Sequence, residues 1–376
     1  MANNEPFSVS VSTISGARFT NALNLFATYK PELRYYPRML LSLLVSAISA
    51  PFEIHERFTV ERKLMDFKIE QDPVFILGHW RSGTTLLHNL MSQDPQMAFV
   101  DTYQGIFPGM TFSGRKIFEW FMKSQMPETR PSDNVKLSPH FPQEEEFAVG
   151  HSNPYGFYNF WFFPKQTREL YHRHVRFENV TESVEDTWMR DYEILVKKAI
   201  KSQGKPRFLS KNPPHTGRIP TLLKMYPNAR FVYIYRNPVT VFFSTLKLFT
   251  STMPSLQFHQ LTRSQIEQNI FYLYEHLFYD YHADKKLIPE GNLIELKYEE
   301  FRPDMVNQLQ KIYNDLSLPG FEKAEPHFRS YAESQKSFVS NKYEVSRKKV
   351  EEVLERFNFA MKAWNYKIPD HFDLKG

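Results

Sequence analysis

The stretch GHWRSGTT, residues 78–85, has the composition of a loop that holds a phosphate or a similar anion. Its glycines let the backbone approach an anion, and its hydroxyl side chains stand where a following helix would offer free N–H groups. Nucleoside triphosphatase loops have a similar spacing but carry a lysine directly after the second glycine. Thr84 stands in that place here, so the loop indicates an anion that needs no such lysine; a turn without a ligand uses the same residue types. The candidate contacts are Arg81, Ser82, Gly83, Thr84 and Thr85.

Two other apolar runs end in a basic residue. Arg236 ends RFVYIYR and is followed by Asn-Pro, which is typical of a helix start. Ser244 lies two turns into that predicted helix, so it and Arg236 could hold a second anion, or form an ordinary ion pair and a helix serine. Lys211 ends RFLSK, where a lysine could neutralise a leaving group.

Three consecutive carboxylates, Glu144 to Glu146, occur in HFPQEEEFAVG between apolar residues. Burying carboxylates is costly, so their presence there favours a function such as general base catalysis. The alternative is a solvated acidic turn or helix start.

These candidates follow elements that predict an α/β fold. Four short apolar runs, residues 73–78, 207–211, 230–236 and 292–298, are typical of buried parallel strands. Helical patterns follow the first three, at Thr84–Ser92, Thr216–Tyr226 and Pro238–Phe249. The order predicts a P-loop-like three-layer fold, with a central parallel sheet flanked by helices and ligands at the carboxyl ends of its strands.

Composition excludes several classes of protein. The 376 residues carry a net charge of +5 without clustered Lys/Arg runs, which suits an anionic ligand and not a nucleic acid. The absence of cysteine excludes disulfides, thiol nucleophiles and cysteine metal sites. The 34 Phe, 20 Tyr and 5 Trp indicate an apolar ligand cavity or an aromatic-rich core.

The motifs RSGTT, KNPPHT and YPNARFVYIYRNPVTVFFS, in this order, resemble the PAPS-dependent sulfotransferases, in particular the bacterial-type branch related to tyrosylprotein sulfotransferases. PAPS is 3′-phosphoadenosine 5′-phosphosulfate, which has no γ-phosphate for a lysine to reach. The likeness covers residues 70–250, with a weaker tail to residue 350. It implies PAPS as cosubstrate and no metal.

The resemblance also implies roles for single residues. Residues 81–85 would bind the 5′-phosphosulfate, Arg236 and Ser244 the 3′-phosphate, and Lys211 would lie near the transferring sulfuryl group. The family closes its site with a basic C-terminal loop, for which SNKYEVSRKK, with Lys342 and Arg347, is the candidate.

The catalytic base is less well defined. The acidic segment resembles the Pro-x-Glu-x-Glu stretch of this branch, which matches Glu144 and Glu146. Tyrosylprotein sulfotransferases use a Glu shortly after the first helix, where this chain reads FVDTYQ, with Asp101 one residue off the match. We expect Glu144, then Glu146, to be the base, with His140 and Asp101 as alternatives.

The aromatic run YGFYNFWFF, residues 155–163, follows the carboxylates. Flat apolar rings near a carboxylate favour a small hydrophobic alcohol as acceptor, a sterol or steroid before a long-chain lipid. Glycans, phenols and peptide tyrosine are alternative acceptors, and a non-catalytic nucleotide-binding or membrane-associated protein is the alternative class.

We predict one domain over residues 1–376. It has an N-terminal helical segment (1–70), an acceptor-side insertion (95–200) and a C-terminal helical region (311–376). The first fifteen residues show no signal peptide, so we expect a cytoplasmic protein. Residues 34–54 contain an apolar stretch that we expect to stop at Pro51 and to form a buried or substrate-covering helix; peripheral membrane contact is the alternative.

Overall fold

The computed structural model describes residues 11–126, 137–335, 343–369 and 372–375. Its centre is a five-stranded sheet in the order β2-β3-β1-β4-β5, in which every neighbouring pair is parallel. The strands are β1 (Gln71–Leu77), β2 (Met97–Ala98), β3 (Arg207–Lys211), β4 (Arg230–Tyr235) and β5 (Leu293–Lys297). The four predicted strands are therefore present, whereas β2, with two residues, is too short to leave a pattern in the sequence.

Helices surround this sheet. They are α1 (Phe19–Tyr29), α2 (Tyr36–Glu56), α3 (Arg62–Leu64), α4 (Thr84–Met91), α5 (Thr102–Ile106), α6 (Arg115–Gln125), α7 (Glu146–Ser152), α8 (Asn159–Phe162), α9 (Thr167–His174), α10 (Glu182–Gln203), α11 (Ile219–Met225), α12 (Pro238–Leu256), α13 (Arg263–Asp284), α14 (Tyr298–Phe301), α15 (Met305–Asp315), α16 (Phe321–Ser334), α17 (Arg347–Arg356) and α18 (Asn358–Ala363). The helix expected from Thr216 begins at Ile219, because Pro213–Gly217 form a 3-10 turn first.

Both faces of the sheet are covered, which confirms the predicted three layers. On one face Val74 and Ile76 of β1 pack in a buried cluster with side chains of α4, α15 and α16. On the other face Phe75 and Leu77 pack with side chains of α10 and α11. Strands buried on both sides require near-continuous apolar sequence, which is why these runs could be recognised.

The N-terminal helix differs from expectation. Helix α2 does not stop at Pro51 but continues to Glu56, and a π-helical turn, Arg57–Glu61, joins it to α3. The helical stretch Leu33–Leu64 is long and apolar enough, by length and composition, to cross a membrane, yet only 22% of its most apolar part is buried in the protein. The expectation of a buried helix is therefore wrong, because its apolar side faces outward; a substrate-covering role stays a prediction.

The C-terminal region contains strands as well as the predicted helices. Strands β6 (Tyr343–Ser346) and β7 (Phe372–Lys375) form a separate parallel pair. Between them, α17 and α18 lead to a segment near the carboxyl end of β4, where Asn237 donates to the carbonyl of Lys367 at 2.8 Å.

The acidic segment is anchored through buried carboxylates at the start of α7. Both oxygens of Glu146 accept from the Arg218 guanidinium at 2.6 and 2.7 Å, and both residues are buried. Glu146 also accepts from the amide of Asn212 at 2.8 Å and from the backbone N–H of Phe157 at 2.6 Å. Burial acts to raise the pKa of Glu146, but the Arg218 charge and hydrogen bonds outweigh it and lower the pKa.

Replacing Glu146 by Gln should destabilise the protein by about 3–5 kcal/mol, because it leaves the Arg218 charge buried without a counter-ion. Urea unfolding measures this loss. The control Glu178→Gln, at a carboxylate that is 49% exposed, should change stability by less than about 0.5 kcal/mol.

Adding Arg218→Met to Glu146→Gln should restore part of the loss, because the uncompensated charge is then removed. Strictly additive losses in this double-mutant cycle would contradict a direct ion pair.

Candidate active site

The loop between β1 and α4 has the backbone of an anion cradle. Gly83 precedes α4 with a φ of 106°, and a Cβ there would lie 2.4 Å from the ring of Tyr298. Gly78 has a φ of 137°, and its N–H donates to the hydroxyl of Thr216 at 2.8 Å. The first N–H groups of a helix have no partner within it, so those at the start of α4 are available to an anion.

The hydroxyl side chains of the loop differ in their exposure and in their hydrogen bonds. Ser82 is buried and donates to the carbonyl of His79 at 2.8 Å, so its hydroxyl stabilises the turn. Thr84 is also buried, whereas Thr85 is half-buried. Backbone N–H groups and Thr85 are therefore the contacts that this loop offers most directly.

Two arginines and a serine meet beside the loop. Arg81 has a φ of 68° and donates from Nε to the hydroxyl of Ser244 at 2.8 Å. Arg236 donates to the carbonyl of Arg81 at 3.4 Å, and its guanidinium lies 4.2 Å from the ring centre of Tyr298. The structure thus unites Arg81, Arg236 and Ser244, which the sequence separates widely, in one basic site.

A short chain of polar groups joins the loop to the acidic segment. The indole N–H of Trp80 donates to the hydroxyl of Tyr158 at 2.9 Å, and Tyr158 in turn donates to Glu144. Burial, and then Glu144, raise the pKa of Tyr158 well above its usual value, so its hydroxyl stays protonated. Lys211, at the end of β3, forms an ion pair with the other oxygen of Glu144. Glu144 and Lys211 therefore lie together at the carboxyl edge of the sheet.

The other carboxylates have different surroundings. Glu145 is buried and accepts from Tyr192 at 3.0 Å and from Ser210. Glu146 is held by Arg218, with no exposed surface. The side chain of Glu144 retains 15% exposure and is the one beside Lys211.

The two alternative bases lie elsewhere. Asp101 caps α5 and pairs with Arg115 at 2.5 Å; burial raises its pKa although the Arg115 charge opposes this. His140 is 58% exposed and contacts Glu119 at 3.1 Å. Because Asp101 pairs with Pro142 in a β-bridge, it lies near the acidic segment, and one of its oxygens accepts from the backbone N–H of Gln104.

One of the two basic C-terminal candidates lies within the described residues. Lys342 lies outside the described residues, and Arg347 is exposed at the first position of α17. The C-terminal segment contributes Trp364 instead, whose ring stacks on Tyr235 with centres 4.8 Å apart. Trp364, Tyr235 and Arg236 line a cleft together with Tyr274 and His79.

His79 gives this cleft a hydrogen-bond acceptor. Burial lowers the pKa of His79 to about 4, so the ring is neutral at pH 7. Its Nδ1 donates to the carbonyl of Trp80 at 2.9 Å, which leaves Nε2 as the unprotonated nitrogen. That buried Nε2 has no hydrogen-bond partner among the described residues.

The aromatic run 155–163 forms a closed cluster. Phe160 and Trp161 are buried and pack against Phe249 of α12, with ring centres 5.7 and 4.9 Å apart. Of the run, Tyr158 reaches the candidate base. Tyr158, Trp80 and Trp364 could not be predicted as site residues, because aromatic side chains are so frequent in this sequence that they carry no positional signal.

No group of three or more His, Asp and Glu side chains within the described ranges has the arrangement of a metal site.

Comparison with known proteins identifies the family of this chain. Residues 73–323 match the sequence model of the Sulfotransferase family. The chain is 28% identical over 329 residues to the omega-hydroxy-beta-dihydromenaquinone-9 sulfotransferase Stf3 of Mycobacterium tuberculosis, covering 86% of this chain and 82% of that protein.

Two crystal structures of sulfotransferases are similar in fold. STF9 from Mycobacterium avium has a TM-score of 0.69 at 16% identity, covering 92% of this chain and 90% of that one. STF1 from Mycobacterium tuberculosis H37Rv has a TM-score of 0.60 at 15% identity, covering 93% of each chain. Because the family match takes in the loop, the acidic segment and both basic strand ends, the chain belongs to the PAPS-dependent sulfotransferase family and is an enzyme.

Proposed function

We propose that this enzyme transfers the sulfuryl group of PAPS to the hydroxyl of a hydrophobic alcohol, giving a sulfate ester and PAP. The observation that carries the proposal is the Lys211–Glu144 pair beside the anion loop. It combines a cation for the leaving group with a carboxylate for the acceptor proton at one edge of the sheet.

The nucleotide fits the remaining features of the site. The 5′-phosphosulfate would lie on the N–H groups that begin α4, with Thr85 beside it. The 3′-phosphate would contact Arg236 and Ser244. Trp364 and Tyr274 line the cleft beside Arg236 and would contact the adenine ring, whose amino group Nε2 of His79 would accept as a hydrogen-bond donor.

The residues then have separate tasks in the reaction. The acceptor oxygen attacks the sulfur while the bond from sulfur to the phosphate oxygen breaks, and Glu144 takes the hydroxyl proton. Lys211 and Arg81 neutralise the charge that builds up on the leaving phosphate. Transfer through a loose in-line transition state depends mainly on such positioning and charge neutralisation.

The hydrophobic acceptor rests on the surroundings of Glu144. Tyr158, which holds it, is enclosed by Trp80 and by Phe147, whose ring centre is 4.8 Å away. The relative Stf3 is named for a menaquinone-derived lipid acceptor, which supports a lipid-like alcohol here. A sterol or steroid remains our first candidate and a long-chain lipid alcohol our second.

PAPS turnover against a panel of acceptors tests the function. We expect sulfation of sterols, steroids or long-chain alcohols in preference to glycans, phenols and tyrosyl peptides, because apolar contact contributes about 25 cal/mol per Å² buried. Mass spectrometry of the products measures this preference. Sulfation of a glycan with none of any hydrophobic alcohol would contradict the proposed acceptor.

Replacing Arg236 by Ala should weaken PAP binding by about 1.5–3 kcal/mol, since it removes a charged contact to the 3′-phosphate. ADP, which lacks that phosphate, should bind the variant and the native enzyme equally. Calorimetric titration of both nucleotides measures the difference. The control Arg230→Ala changes an arginine at the opposite end of the same strand and should leave PAP binding unchanged. An equal loss for ADP would contradict the assignment.

Replacing Glu144 by Gln should lower kcat by about 10²-fold or more while PAP still binds, because the base is lost and the nucleotide contacts remain. Steady-state kinetics with a saturating acceptor measure this. Glu169→Gln, the same change at an exposed carboxylate, serves as control. Near-native turnover of the Glu144 variant would exclude it as the base and return attention to Asp101 and His140.

A further inference from the structure

Helix α2 exposes its apolar side and buries its polar side, the opposite of a surface helix in a soluble protein. Three large apolar side chains, spaced four residues apart along one side, are more than half exposed. Three serines on the opposite side are buried against the protein. The exposed residues are Leu40 at 61%, Leu44 at 59% and Ile48 at 57%; the buried ones are Ser42, Ser46 and Ser49.

The inward side of α2 is fixed by its polar contacts. Glu56 is fully buried, accepts the backbone N–H groups of residues 111–113 at 2.8–2.9 Å, and pairs with Lys198 at 2.8 Å. Arg38 donates to the carbonyls of Pro254 and Gln257 at 3.0 and 3.1 Å. Turning the helix over would strip these groups of their partners, so the apolar side must face outward.

The outward side is uncharged over most of its length. Every exposed residue from 39 to 54 is apolar; they are Leu40, Leu44, Ala47, Ile48, Pro51 and Ile54. A continuous apolar side of this kind marks an interaction surface.

Basic residues stand at both ends of that surface. Every exposed charged side chain between residues 30 and 63 is basic. These residues are Lys30, Arg34, Arg57, Arg62 and Lys63. An apolar face bordered by such residues is complementary to a lipid bilayer with anionic headgroups.

We propose that the outward side of α2 docks this enzyme on an anionic membrane surface, with the helix lying in the plane of the interface. A membrane-spanning position is incompatible with the inward polar contacts of Glu56 and Arg38. A second copy of the chain is a poorer occupant, because both ends of the surface are basic and would repel whichever way two helices were paired.

The docking surface lies next to the apolar cluster beside the candidate site. Met39 and Leu43, on the flank of α2, pack against the cluster that contains Trp161 and Phe249. Helix α12 leads from Ser244 to the carbonyls that Arg38 binds. Docking would therefore bring the enzyme close to a membrane-resident alcohol; this link rests on the proposed function, whereas the docking itself does not.

Vesicle flotation of the full chain tests the proposal. The probes are vesicles of phosphatidylcholine alone and of phosphatidylcholine with phosphatidylglycerol. The native protein should float with the anionic vesicles. It should bind the neutral vesicles at least about fivefold more weakly, because one basic residue near an anionic surface contributes about that factor to binding. The double variant Leu40→Glu/Leu44→Glu should bind anionic vesicles about tenfold or more weakly.

A matched control separates the surface from charge alone. The variant Tyr279→Glu/Leu287→Glu changes two large apolar side chains that are 50% and 51% exposed outside α2 and should float like the native protein. PAP-induced thermal stabilisation, equal in all three proteins, shows that each is folded.

Failure of the native protein to float, or flotation unaffected by the α2 variant, would overturn the proposal. The proposal would also be overturned if the native protein bound no vesicles and formed a dimer that the α2 variant dissociates, as measured by light scattering. Turnover of a detergent-dispersed alcohol is measured separately: its absence in the native protein contradicts the proposed function and leaves the docking result standing.

Discussion

The buried ion pair of Glu146 and Arg218 is the constraint on which the arrangement of the site depends. It joins the start of α7 to the turn after β3, and through Phe157 to the aromatic run. Because both charges are removed from water, each must keep its partners, and the backbone around them is fixed. Glu144, two residues earlier in the chain, is thereby held beside Lys211. Glu146, which is enclosed by its partners, thus positions Glu144, the candidate base.

The parallel sheet supplies the second half of the site. Strands β1, β3 and β4 are neighbours and run in the same direction, so the loop after Leu77, Lys211 and Arg236 meet at one edge. The left-handed backbone of Arg81 directs its side chain to Ser244, which links the loop to α12. The residues of the two candidate anion sites, far apart in sequence, therefore lie close together in the fold.

The sequence predicted those parts of the fold and site that a short, continuous stretch of residues defines. Apolar runs identified four strands, and the residues directly after them include the loop, Lys211 and Arg236. The resemblance favoured Glu144 and then Glu146 among three adjacent glutamates. Their different surroundings could not be predicted, because the partners that define them (Lys211, Tyr192 and Arg218) are distant in sequence. Trp364 was not predicted, because aromatic residues are so frequent in this chain that one of them carries no positional signal. For α2, the apolar composition predicted a helix, but not that the protein would cover its polar side and leave its apolar side exposed.

The closed aromatic cluster and the outward apolar side of α2 both bear on where the apolar part of an acceptor would lie. Phe160 and Trp161 are already buried against Phe249, so the apolar part of an acceptor gains little there unless the rings move apart. Glu144, in contrast, is partly accessible from outside. Withdrawing a lipid alcohol fully into water costs about 0.8 kcal/mol for each CH₂ group. If the enzyme docks as proposed, much of that cost would be avoided, because part of the apolar chain would stay in lipid while the hydroxyl reacts. The membrane, together with the protein, would then form the acceptor site.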